Sequence, residues 1–195
     1  MTPEPSWICV LAGGRSRRFG GDKAFADAGG GLPRTVAVSR RFIARSADPR
    51  PFAVARAAGA FDAWGLPTIT DPTEHAGAGP LAGLLAGLRH REAQAGPGWL
   101  LLLACDAVAV DPAVVDRLPE PDGVDASVFR EAGPPRRFQP LPGKYHTRMI
   151  SGLEAALARG ERSFQRRLAG VGVVETPAPA GLADAAARGN HADPA

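Results

Sequence analysis

A chain of 195 residues with 45% apolar side chains has the length for one domain (residues 1–195) with a real core, and the composition of a globular protein rather than a disordered one. The formal charge of +3 is mild and suits an anionic small-molecule partner; no basic run with interleaved aromatics points to nucleic acid, and no apolar stretch approaches the length of a membrane span. Cys9 and Cys105 sit inside apolar runs and read as buried strand thiols, and no signal peptide precedes Trp7, so a reducing cytoplasm is the expected compartment.

Apolar segments alternate with helical patterns along the chain, which predicts an α/β fold of three layers, α/β/α, around a Rossmann-like, mostly parallel sheet. The run 7–11 (WICVL) reads as a buried first strand, 34–45 as a helix, 51–55 (PFAVA) as a second strand and 67–70 (PTIT) as a short third. Leucines at 81, 84, 85 and 88 form a helical stripe after Gly79-Pro80. The most apolar run, 99–105 (WLLLLAC), is predicted to be a central strand buried on both faces. Asp111 followed by Pro112 opens a helix. Strands are expected at 125–130 and 137–145, a helix over 145–160 ending at Gly160, a shorter helix capped by Ser163, and a last strand at 171–176. Glycine-proline clusters at 29–33, 77–80 and 133–135 are too short to be linkers.

The stretch VLAGGRSRRFGGDKA, Val10 to Ala24, follows the first strand directly. It holds four glycines, three arginines and one of only two lysines in the chain, the other being Lys144. Ligands of open α/β sheets bind beyond the carboxyl ends of strands. Glycines there let backbone N–H groups reach an anion with no Cβ in the way, and Arg18 and Lys23 add positive charge suited to phosphates. The order of residues is neither that of a Walker A loop nor that of the dinucleotide fingerprint. A flexible surface loop with incidental arginines is the competing reading, and strand placement, charge order and length together favour a phosphate cradle.

The pattern L-A-G-G-x-S-x-R-x-G-x-D-K stands intact from Leu11 to Lys23. It resembles the nucleotidyltransferases of the molybdenum cofactor guanylyltransferase (MobA-like) family. The resemblance implies a sheet of the nucleotide-diphospho-sugar transferase type and a loop that wraps a nucleoside triphosphate. Leu11, Ala12, Gly13 and Gly14 would then meet the nucleotide, and Arg18 and Lys23 its phosphates.

Nucleotidyl transfer also needs charge neutralised at the reacting phosphorus, and Mg²⁺ is the expected cofactor. The best ligand is Asp106, a carboxylate at the end of a fully apolar strand, where it is costly without a cation or hydrogen-bond partner. A helix cap or turn aspartate is the bland alternative. The family carries a Cys-Asp or Pro-Asp pair here, and this chain has Cys105-Asp106 without the proline that usually follows. The resemblance also places Asp71 at the ribose or base, although Asp71-Pro72 alone would pass for an ordinary turn. Gly79-Pro80-Leu81-Ala82-Gly83 matches the guanylyl-transferring branch, and this motif is what favours GTP over CTP.

In the second half, the segment around Gln139-Pro140-Leu141 resembles the side on which the family receives its phosphorylated pterin substrate. Gln139 is a candidate contact there, with Lys144 or Arg137 as candidates for the pterin phosphate. The usual C-terminal N-x-N-T-P is altered: Asn190 is kept, Ala192 stands at the second Asn, and Asp193 stands at the Thr. Asn190 and Asp193 are the candidates to complete the metal and acceptor contacts. Ala55 replaces an Asn that the family has after the second strand. The implied reaction is GMP transfer from GTP to molybdopterin or its metal-loaded form, with molybdoenzyme maturation proteins as further partners. Two alternatives stay open: the same chemistry with CTP or another phosphorylated acceptor, and a nucleotide-binding protein without catalysis.

Overall fold

The computed structural model describes residues 5–13 and 22–184. Seven strands form one sheet in the order β3-β2-β1-β4-β6-β5-β7: β1 Ser6–Leu11, β2 Pro49–Ala55, β3 Thr68–Thr70, β4 Trp99–Ala104, β5 Ala126–Arg130, β6 Phe138–His146 and β7 Val173–Pro177. All pairings are parallel except the two made by β6, which runs against both β4 and β5. The helices are α1 Arg34–Ile43, α2 Pro80–Ala95, α3 Ile150–Ala158 and α4 Phe164–Ala169.

Alternation along the strands builds the two faces. Cys9, Phe52, Val54, Leu100 and Leu102 turn toward one side, where they join the apolar stripe of α2 together with Leu153, Leu157 and Leu168 of α3 and α4. Ile8, Val10 and Leu103 turn the other way and pack with Val38 and Phe42 of α1 and with Val114 and Val115. The four stripe leucines of α2 are fully buried. At roughly 1.5–3 kcal/mol for each buried leucine, they are the main reason a helix containing Gly83 and Gly87 is stable. Those glycines have a packing role: a Cβ on Gly87 would lie 3.0 Å from Leu100 Cδ2 and 3.2 Å from Cys9 Sγ. The helix therefore sits closer to β1 and β4 than a bulkier residue allows.

Two expected elements differ in detail. The helix after Asp111 is a 3-10 helix, Pro112–Arg117, with the Asp111 side chain accepting from the Ala113 N–H. The helix expected over 145–160 begins only at Ile150, because Tyr145 and His146 are the end of β6, paired with Leu100 and Trp99 of β4. It stops where Gly160 takes a φ of +83°, the left-handed conformation that ends helices.

The topology fixes where a ligand can sit. From β1 the chain moves outward to β2 and β3, then crosses back through α2 to β4 on the other side of β1. Between β1 and β4 the order reverses, the place where open α/β sheets form a ligand crevice beyond the carboxyl ends of the strands.

Candidate active site

Three strand ends and one helix start meet at this crevice. At the end of β1 the backbone is partly committed: the Ala12 N–H donates to Val54 O at 2.8 Å, and Leu11 O accepts from the Cys105 N–H at 3.2 Å. These bonds carry β1 one residue beyond its last ladder pair and hold Cys105, hence Asp106, against it. The turn thus offers a ligand the Gly13 N–H and the Ala12 carbonyl. A Cβ on Gly13 would meet nothing within 4 Å, so the space beside it is open.

Asp106 follows β4 and stands in the bridge region (φ −92°, ψ 1°) at the start of a 3-10 turn. Its Oδ2 accepts from Lys23 Nζ at 2.5 Å, and both side chains are largely shielded from solvent, 12% exposed for the lysine and 19% for the aspartate. The two residues lie 83 positions apart in sequence. A carboxylate that is costly at this strand end without a cation or hydrogen-bond partner thus has one, the ammonium of Lys23 at the end of the Leu11–Lys23 pattern. A short turn orients the lysine: Asp22 Oδ1 accepts from the Ala24 N–H at 3.1 Å, and the Ala24 carbonyl accepts from the Thr35 hydroxyl at 3.0 Å. The Cys105 thiol beside the pair is pushed up to about 12 by burial first and by the Asp106 charge second. It is therefore a neutral packing group and no nucleophile.

Asp71 lies just past β3 and accepts from the Gly77 N–H at 3.4 Å. Burial raises its pKa above the ordinary value, and the Gly77 bond offsets this in part. Gly79, with φ +87°, makes the turn into α2, and Pro80 takes the first helical position. The Leu81 side chain is wholly in the core, so only its backbone can serve a ligand. Gly83 is a tight point: a Cβ there would lie 2.6 Å from Leu11 Cδ2 and 3.7 Å from Asp71 Oδ1. The first turn of α2, the end of β1 and the Asp71 carboxylate are thus in mutual contact, with the positive end of a 16-residue helix at the same sheet edge.

Gln139 lies at the start of β6, on the same edge, and its Nε2 donates to Glu131 Oε1 at 2.6 Å. Lys144 is committed elsewhere: Nζ donates to Leu118 O at 2.8 Å and pairs with Glu120 at 2.7 Å. It anchors the segment after the 3-10 helix, and reaching a phosphate would require it to leave both partners. Arg137 is exposed beside β6. Gly14, Arg18, Asn190 and Asp193 lie outside the described residues.

Sequence reasoning missed Arg56. It follows β2 directly, and its Nε donates to Gly13 O at 3.4 Å, tying the start of the loop to the end of β2. The rule that ligands gather beyond strand carboxyl ends would have flagged it. Also missed was Arg89, which bonds Glu74 of the 71–79 loop and Glu154 of α3 at once, at 2.8–3.1 Å. It braces the loop that carries Asp71.

With one carboxylate held by a lysine, and no group of three His, Cys, Asp or Glu placed to hold a metal among the described residues, the site does not make an all-protein cage. Its donors suit a hard cation that takes one or two carboxylates and completes its shell from phosphate oxygens and water, the habit of Mg²⁺.

The family model of the MobA-like NTP transferase domain matches residues 8–171. A molybdenum cofactor guanylyltransferase of Pseudomonas putida is 35% identical over 167 residues, covering 84% of this chain and 82% of the relative. A probable molybdenum cofactor guanylyltransferase of Opitutus terrae is 36% identical over 163 residues, 82% of this chain and 76% of the relative. Among solved structures, molybdopterin-guanine dinucleotide biosynthesis protein A of Archaeoglobus fulgidus superposes with a TM-score of 0.69, at 24% identity, over 94% of this chain and 96% of that one. A CMP:2-keto-3-deoxy-manno-octonic acid synthetase complexed with CTP superposes at 0.62 and 15% identity over 95% and 98%. At such identities these two structures speak for the fold.

Proposed function

The chain belongs to the MobA-like NTP transferase family of nucleotidyltransferases, and from that premise we propose that it transfers GMP from GTP to molybdopterin or its molybdenum-loaded form. An oxygen of the acceptor phosphate attacks the α-phosphorus in line. The bond from that phosphorus to the bridging oxygen of the β-phosphate breaks, and pyrophosphate leaves. The acceptor phosphate is already ionised near neutral pH, so the reaction needs no strong general base.

The observation that carries this reading is the contact of Lys23 with Asp106 across the reversal point of the sheet. Without nucleotide, each neutralises the other. A triphosphate offers the ammonium more negative charge than one carboxylate does, so Lys23 moves to the phosphates and Asp106 Oδ2 is released. Asp106, with Asn190 or Asp193 as second ligand, would hold Mg²⁺. When bound, the cation would offset the negative charge on the reacting phosphates. Lys23 and Arg18 stabilise the leaving pyrophosphate, the Gly13 N–H adds a donor, and Asp71 with the first turn of α2 receives the ribose and base. The motif Gly79 to Gly83 supports guanine. Two free cysteines fit a reducing compartment, the cytoplasm.

The test is pyrophosphate release by the purified protein with Mg²⁺, molybdopterin and each of the four nucleoside triphosphates in turn. Release with GTP alone supports the reading. Release with CTP moves the protein to the cytidylyl reaction, and binding of a nucleotide without any release makes it a nucleotide-binding module.

A further inference from the structure

The β5–β6 ladder breaks at one place. Val128 pairs with Gly143, yet the next residue, Phe129, pairs with Gln139. Residues Pro140, Leu141 and Pro142 have no partner on β5 and form a bulge within β6. On the other side, β6 last pairs with β4 at Gly143 and Leu102. The bulged residues therefore lie alongside the final residues of β4, one strand over from Asp106.

This bulge is clamped from within. The Tyr145 hydroxyl, on a side chain with no solvent exposure, donates to Pro140 O at 2.7 Å. Gly143 makes that approach possible, since a Cβ there would stand 2.5 Å from the same carbonyl oxygen. At the base of the bulge, Gln165 of α4 bonds Phe138 twice: Phe138 N–H to Oε1 at 3.0 Å and Nε2 to Phe138 O at 2.7 Å. The Arg130 guanidinium covers the Phe138 ring at 4.1 Å. The Glu131 carboxylate can only accept, so it takes the Gln139 amide nitrogen and leaves Oε1 as the acceptor. A loop of two prolines and a leucine needs no such set of polar anchors for packing alone. A β-bulge typically re-aims side chains beside a site.

We propose that Tyr145 and Gln165 are positioning residues for the acceptor: through the Pro140 carbonyl and the Phe138 backbone they fix the 139–142 bulge as a rigid wall for the pterin side of the crevice. The proposal rests on the guanylyltransferase reading for the identity of the acceptor, and it concerns a part of the crevice that the nucleotide contacts do not use.

Tyr145→Phe removes the hydroxyl and keeps the ring on Phe164, whose centroid lies 5.8 Å away. The expected result is a five- to tenfold rise in the KM for molybdopterin, with the KM for GTP within twofold of the unmodified protein. Gln165→Met should act in the same direction. An unchanged acceptor KM, or equal shifts for acceptor and GTP, would overturn the proposal by making the hydroxyl a general stability element. Hydrogen exchange decides independently of activity. In Tyr145→Phe, the amides of Gln139, Leu141 and Gly143 should exchange at least tenfold faster while those of 7–13 are unchanged; equal protection in both proteins would also overturn it. Failure of the guanylyltransferase reading shows itself elsewhere, as an unmodified protein that releases no pyrophosphate from GTP.

Discussion

The sheet has two halves that build their parts of the crevice differently. In the parallel half, β3-β2-β1-β4, the candidate groups stand within two residues of strand ends: Gly13 after β1, Arg56 after β2, Asp71 after β3 and Asp106 after β4. In the antiparallel half, the wall is a bulge in mid-strand, held by a tyrosine hydroxyl and a glutamine from a distant helix. The first arrangement follows from topology, since parallel strands place all their carboxyl ends on one edge. The second depends on local exceptions to strand regularity. On the proposed assignment the nucleotide side follows from topology and the acceptor side from local irregularity.

The largest effect should come from the first half. Asp106→Asn keeps the size of the side chain and removes its charge, so transfer should fall by about a thousandfold or more while part of the GTP affinity remains. Pyrophosphate release and a nucleotide titration measure the two quantities; transfer at the unmodified rate would break the assignment. Lys23→Met comes next, with a drop in kcat/KM for GTP of about a hundredfold. Lys23→Met leaves the shielded Asp106 carboxylate without its lysine. The stability cost should fall between the ~1 kcal/mol of a surface pair and the ~3–5 kcal/mol of a buried one, and thermal melting checks it.

A smaller effect separates the halves more cleanly. Gly83→Ala forces its new methyl group onto Leu11 Cδ2. Overpacking of this kind costs about 1–3 kcal/mol, which at ~2–4 °C per kcal/mol lowers the melting temperature by several degrees. Because the displaced leucine ends β1 beside Asp71, the KM for GTP should rise and the KM for molybdopterin should not. If both rise together, the two walls are mechanically coupled and the contrast between them is weaker than the topology implies.

The same contrast explains what could be read in the sequence. Strands β1, β2 and β4 were legible because burial on both faces demands continuous apolar runs, and a run that ends in glycines or an aspartate marks its own edge. Lys23 and Asp106 were each identifiable by type and place. Their direct contact was not, because no local pattern links residues 83 positions apart. The bulge was invisible for a different reason: Pro140 and Pro142 inside an apolar segment look like any edge strand, and only the slip from Val128–Gly143 to Phe129–Gln139 reveals them. The partners of Lys144 were equally hidden, since only the pleat of β6 turns it toward Leu118 and Glu120. Tyr145→Phe, the variant for the bulge wall, belongs in size below Asp106→Asn and Lys23→Met.

The smallest expected effect concerns Asp71, where stability and function should part. Its carboxyl is half-buried, and burial holds its folded-state pKa above the ordinary 3.8. A raised pKa means that the folded state binds the proton more tightly than the unfolded state does. Below the ordinary value both states are protonated and burial of the charge costs nothing. As pH rises through the raised pKa the folded protein must carry a poorly solvated charge, and stability is lost relative to the acid side. Asn at this position has no charge to desolvate, and its side-chain oxygen still accepts from the Gly77 N–H. Asp71→Asn should therefore melt higher than the unmodified protein at pH 7, by about 1–3 °C, a change of under ~1 kcal/mol. The difference should shrink as pH falls and vanish well below 3.8, where both states are protonated. GTP should bind more weakly to the same variant. Higher melting together with weaker GTP binding would mark the Asp71 carboxylate as a functional group rather than a structural one. A variant that melts lower at pH 7, or binds GTP unchanged, would make Asp71 an ordinary turn residue and leave base and ribose recognition to the first turn of α2.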